Sequence, residues 1–221
     1  MKRILILWVV VFFGCNSSNK KEYNPSFDHT EKQILLKEFS EEIIDKDTID
    51  ILTKFSQIAF KNDTLFYWKK GDINNDKIED FILILQSKEE DMEITGMPDT
   101  YSRKLVLLET VKEYPKFEIR ASNEFLIGCS TCGGAGVGDP FQDITIKNNY
   151  FSIEELYGAC DKTFKVITFK YDTNKKDWFL HKIGQDDYSC RNEDNEDGEI
   201  KIHHKEETKK DFGIIRFKDY R

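Results

Sequence analysis

Oxygen-bearing side chains recur at every second position in the segment 71–80, GDINNDKIED. Asp72, Asn74, Asp76 and Asp80 occupy positions one, three, five and nine of a loop, and the carbonyl of Ile78 falls at seven. A tight turn alternates its side chains inward and outward, and Ca²⁺ takes roughly six to eight oxygens, so this is the ligand spacing of a compact Ca²⁺ loop. Three carboxylates would neutralise the ion with a small surplus. Position six, where such loops place glycine for its left-handed backbone, is Lys77. No Glu stands at position twelve, which excludes an EF-hand. The residues fit two readings, a Ca²⁺ site or a polar turn ahead of the apolar strand FILIL.

Cysteine chemistry is the second candidate. In GCSTCGG, Cys129 and Cys132 form a Cys-x-x-Cys pair, but a redox-active pair needs a helix start behind it to lower the thiol pKa, and glycines follow instead. With Cys160 and Cys190 the pair could hold zinc tetrahedrally or close two disulfides, the form that oxidising compartments favour. Three pairings are open to four cysteines. The most economical joins Cys129 to Cys132 across the loop and Cys160 to Cys190 between strand ends. The glycines lack a following Lys-Ser/Thr, so the segment is no phosphate loop. Of the histidines, His203 and His204 are neighbours that a strand would point to opposite faces. Neither a nucleophile elbow nor His-Glu-x-x-His occurs.

The N-terminus carries a different signal. Lys2-Arg3 precede the apolar run Ile4 to Phe13, which Gly14-Cys15 closes before the polar NSSNKKE. Ten apolar residues are too few for a spanning helix, which takes about 20, and suit a secretory signal. The small residue before the cysteine resembles a bacterial lipobox, which implies lipidation of Cys15 and removal of residues 1–14. That removal takes two positive charges from a net charge of -8, leaving -10. Residues 15–27 read as a tether. The expected location is extracytoplasmic and membrane-anchored, on the outer-membrane, periplasmic or surface face. The only membrane contact expected is through the lipid. An acidic chain whose lysines interleave with Asp and Glu lacks the basic patch that nucleic acid requires.

The elements that must position these residues follow from periodicity. Between Thr30 and Asp45, apolar spacings of three, four and seven predict an amphipathic helix, and Ile49–Phe60 fits a helix or a strand, giving a helical segment over 28–62. From 63 to 221 the pattern is β. Strands are predicted at Leu65–Trp68, Phe81–Gln86, Lys104–Leu108, Phe117–Arg120, Phe164–Tyr171, Trp178–Leu180 and Gly213–Phe217. A hairpin is predicted over Ile144–Ile153, with an Asn-rich turn. Long acidic loops fall near 87–102 and 186–199. The aromatic residues Trp68, Trp178 and Phe179 are read as core. The fold class is mainly β: a single antiparallel sheet or sandwich-like domain with an N-terminal amphipathic helix, at the α+β border.

The loop and its strand resemble the calcium loop of FG-GAP and VCBS-type repeats, GDxNGDGxxD followed by a strand, with Asn75 and Lys77 in place of both glycines. Those repeats build propellers from several blades, whereas this chain has one copy. The ordered landmarks Asp72–Leu85, Cys129–Phe141 (CxxCGG…GDPF), Thr168–Leu180 and Lys210–Phe217 (KDFG) resemble a family of exported bacterial proteins. The resemblance spans roughly 64–217 and implies an architecture but no activity. The expected function is a lipid-anchored binding or structural module with a weak Ca²⁺ loop. Two alternatives are a hydrolase-type enzyme using the loops near 129–141 and an acidic inhibitor or immunity-type protein for a basic partner.

Overall fold

The computed structural model describes residues 48–61, 63–87, 103–111, 116–189 and 202–221. Cys15, Cys190, the segments 1–14 and 15–27, the helix expected over 30–45 and nearly all of the acidic loops lie outside them.

Among the described residues, nine strands form two antiparallel meanders. The first sheet holds β1 (Asp63–Gly71), β2 (Asp80–Ser87), β3 (Arg103–Val111) and β4 (Lys116–Ile127) in chain order. The second holds β5 (Phe141–Lys147), β6 (Tyr150–Gly158), β7 (Lys162–Asp172), β8 (Asp177–Tyr188) and β9 (Ile202–Thr208), again in chain order. Helix α1 (Thr48–Ala59) precedes β1, and a single helical turn α2 (Lys209–Phe212) follows β9.

The unbroken apolar run at Phe81–Leu85 has a direct cause, since β2 and β3 are interior strands buried on both faces. Successive side chains alternate sides. Ile82, Ile84, Leu105 and Leu107 therefore meet Ile144, Phe151, Ile153, Ile167 and Phe169 of the second sheet. Phe81, Leu83, Leu85, Val106 and Leu108 turn the other way, onto Leu52 and Phe55 of α1. Leu52, Phe55, Ser56 and Ala59 recur at helical spacing on that buried face, which resolves the ambiguous 49–60 segment as helix. The buried Ser56 hydroxyl is satisfied by the Thr53 carbonyl at 2.8 Å. The result is a helix on a sheet on a sheet, mainly β and sandwich-like.

The Asn-rich turn behaves as expected. Asn148 and Asn149 take φ of 51° and 60°, the left-handed pair of a tight hairpin turn. The C-terminal end differs. No strand forms at Gly213–Phe217, because Gly213 (φ 78°) ends α2 and Phe217 begins a 3-10 turn, Phe217–Asp219. Lys210-Asp211-Phe212-Gly213 is thus a helical turn and its cap, held by a Thr208–Asp211 capping box. Only Arg216 bridges a strand, at Phe179. The edge strand β9 carries no strand signal in its sequence, since IHHKEET is exposed along most of its length and shows no apolar alternation. Phe217 is fully buried against Phe151 and Phe169, and the buried Asn123 amide donates to the carbonyls of Phe217 and Tyr220 at 2.7 and 2.9 Å. The C-terminal turn is thereby fastened to both sheets.

Candidate metal centre

The loop 72–79 joins β1 to β2 at the seam between the sheets. It begins at Gly71, where a Cβ would lie 2.9 Å from Ile146 Cγ2 of the second sheet, so close approach selects glycine there. The Asp72 carboxylate organises the turn. Its Oδ1 accepts the N–H groups of Asn75 and Asp76 at 2.6 and 3.2 Å, and its Oδ2 accepts that of Lys77 at 2.9 Å. Asn74 Oδ1 accepts from Asp76 N–H at 3.0 Å, and Asp76 Oδ1 from Ile78 N–H at 2.8 Å. Asn75 and Lys77 adopt φ of 64° and 71°. The two glycines of the repeat motif are gone, yet the left-handed conformations they would take remain. Asn enters this region readily, whereas a residue such as Lys77 gives up about 1–2 kcal/mol there.

Asp80 opens β2 and is completely buried. Its Oδ1 accepts from Thr110 N–H at 2.9 Å and its Oδ2 from Ile73 N–H at 3.4 Å. Desolvation pushes its carboxyl up to about 7 against the pull of those two N–H groups, and the negative charges of Asp76 and Glu109 add to the rise. One carboxylate oxygen from each of Asp72, Asp76 and Asp80 lies within 4.8 Å of the others. No cationic side chain among the described residues pairs with any of the three. The structure thus brings the three carboxylates together and places Asn74 and Ile78 in the loop's own hydrogen bonding. From across the seam, Trp178 of β8 donates its indole N–H to the Ile73 carbonyl at 3.0 Å. Hard oxygens, anionic and converging without a counter-charge, are a donor set suited to Ca²⁺ and unsuited to a thiophilic metal.

The Cys129–Pro140 loop is built differently. Cys129 and Cys132 form a disulfide with Cα atoms 5.0 Å apart. Cys160 is also disulfide-bonded, and Cys190, expected as its partner, lies outside the described residues. The glycines serve backbone contact, because a Cβ on Gly133 would sit 2.6 Å from the Gly138 carbonyl. Asp139 receives both terminal nitrogens of Arg103, at 2.8 and 2.7 Å, in a fork-to-fork pair. The Arg103 side chain is wholly buried, with its guanidinium 4.0 Å from the centre of the Phe66 ring. Beside it, the buried Glu155 accepts from Gly128 N–H at 3.2 Å. Periodicity could mark none of these long-range partners, Trp178 with Ile73 included.

Of the other candidates, His203 and His204 are exposed on β9, with His204 Nδ1 2.5 Å from Asp186. Trp178 is core as expected, whereas Phe179 lies on the wall of a surface cavity rather than in the core. Compared with known proteins, the chain matches no protein-family model, no curated protein and no solved structure.

Proposed function

We propose that the protein is a lipid-anchored extracytoplasmic module, binding or structural, whose β1–β2 loop, at the seam between the two sheets, holds Ca²⁺ through Asp72, Asp76 and Asp80. The observation that carries the metal reading is the convergence of these three carboxylates, one of them buried, with no protein cation beside them. A divalent ion supplies the missing charge, and it does so where Trp178 of the second sheet grips the same loop. Because Asp80 starts β2, a strand buried on both faces, ordering the loop transmits directly to the core. The anchor rests on Lys2-Arg3, the apolar run Ile4–Phe13 and Gly14-Cys15.

Thermal unfolding of the purified chain in Ca²⁺ and in chelator tests the metal. Binding to the native state alone adds about 2.7 kcal/mol at one hundred times Kd, which for a domain of this size raises Tm by about 5–11 °C. An unchanged Tm at millimolar Ca²⁺ ends the metal reading. For the anchor, metabolic labelling with a clickable fatty acid should mark the parent and leave Cys15→Ser unlabelled and released from the membrane fraction. A parent that takes up no label refutes it.

A further inference from the structure

We propose that the cavity on the outer face of the second sheet, where Lys170 and Lys175 of the β7–β8 hairpin face Lys209 of the C-terminal wall, binds a small organic anion bearing a compact apolar body. This deepens the reading of a binding module, on which it rests, and it is independent of the cation loop.

The cavity follows from strand geometry. Trp178 and Leu180 point into the core, so Phe179 and His181 between and beyond them point outward. The register sets Lys170 opposite Phe179 and Tyr150 opposite Lys170. One wall is the turn at Asp172–Lys175. The other is the chain after β9. Its capping box fixes Lys209, Gly213 (φ 78°) redirects the backbone, and Leu180 N–H donates to the Ile215 carbonyl at 2.8 Å. Ile214, 62% exposed, stands on the rim. This open surface cavity has a volume of about 480 Å³, within the range of small-molecule sites, roughly 300–1,000 Å³.

Its charge runs against the rest of the molecule. The chain carries -8 overall, yet three lysines line this one cavity. None of Lys170, Lys175 and Lys209 has a carboxylate partner among the described residues. Asp172 is the acidic group in the lining, and its Oδ1 is taken by the N–H groups of Asn174 and Lys175 at 3.0 and 3.1 Å. Lost hydration, then the Lys170 and Lys182 charges, hold the His181 imidazole below its ordinary pKa against the opposing charge of Glu206. Lys175 rests 4.6 Å over the Phe179 ring and Lys170 4.9 Å over Tyr150. Positive heads beside apolar surface call for the complementary ligand, an anionic head on an apolar body. Low-dielectric walls focus such a field.

Amide shift mapping on the isotopically labelled full chain tests this, with benzoate and phenyl phosphate as probes. Benzamide, benzylamine and inorganic phosphate serve as the neutral, cationic and body-free controls. Both probes should give saturable shifts at Thr173, His181 and Ile214, weakening with added salt. The K170A/K175A/K209A variant should bind them on the order of tenfold more weakly, since each exposed pair contributes about 0.2–1 kcal/mol. Ile214→Ser should weaken benzoate while leaving folding intact. Benzamide binding as tightly as benzoate, phosphate as tightly as phenyl phosphate, or no shifts in the cavity would overturn the proposal. Saturable shifts elsewhere would overturn the cavity while leaving a binding module standing.

Discussion

The two ends of the sandwich solve the same electrostatic problem in opposite ways. At one end, the carboxylate of Asp139 meets Arg103, a cation the chain itself supplies across the sheets. At the other, Asp80 is fully buried with Asp72 and Asp76 beside it and no cationic side chain paired to any of them among the described residues. Arg103 and Thr110 lie toward opposite ends of the same strand, so the two arrangements share one scaffold. A buried charge persists where its partner is built in. Where none is built in, the carboxyl shifts toward its neutral form or an external cation completes it.

The largest effect should come from breaking the internal clamp. Asp139→Ala removes the bidentate carboxylate from the buried Arg103 guanidinium, and the loss should be about 3–5 kcal/mol in urea unfolding. A loss below about 1 kcal/mol would show that water replaces Asp139 and that the two ends do not differ in built-in charge pairing. The corresponding substitution at the loop, Asp80→Asn, should stay within about 1 kcal/mol of the parent in chelator, one hydrogen bond's worth. It should also abolish the Ca²⁺-dependent rise in Tm. A full Ca²⁺ response in Asp80→Asn would remove Asp80 from the site.

Smaller changes sharpen the contrast. Lys77→Gly relieves a left-handed residue (φ 71°) and removes a positive charge from the loop. Stability in chelator should rise by about 1 kcal/mol, and Ca²⁺ should bind more tightly by calorimetry. Weaker binding would mean that Lys77 supports the loop. The smallest effect concerns Glu155, whose carboxyl burial holds above its ordinary value despite the Gly128 N–H and Tyr157 hydrogen bonds. A raised folded pKa means that its stabilising contribution is complete below the unfolded carboxylate range and is lost as pH rises through the folded value. Glu155→Gln should therefore match the parent at low pH and exceed it at neutral pH. A parallel pair of stability–pH curves would rule out this titration.

Several features were legible because their causes are local. The turn chemistry of Asn148-Asn149, the β patterning from residue 63 onward and the polar loop ahead of FILIL depend on neighbours within a few positions. The apolar run in β2 was legible as a strand, whereas its burial on both faces follows from the packing of α1 and the second sheet. The edge strand β9 was illegible because its outward residues bury little, and an edge is defined by its neighbour rather than by its composition. The expected terminal strand failed for a local reason of its own, the left-handed Gly213 followed by a 3-10 turn.

By itself, then, the sequence determined which segments extend, where they turn, and which carboxylates could share a loop, since spacing along the backbone sets these. Tertiary structure alone decided what each charge meets. Arg103 finds Asp139 across 36 residues and Trp178 finds Ile73 across 105. Three lysines from two separate segments gather around one cavity in an acidic protein. The physical reason is that burial and electrostatic pairing depend on distance through space, which only the packing of the sheets establishes.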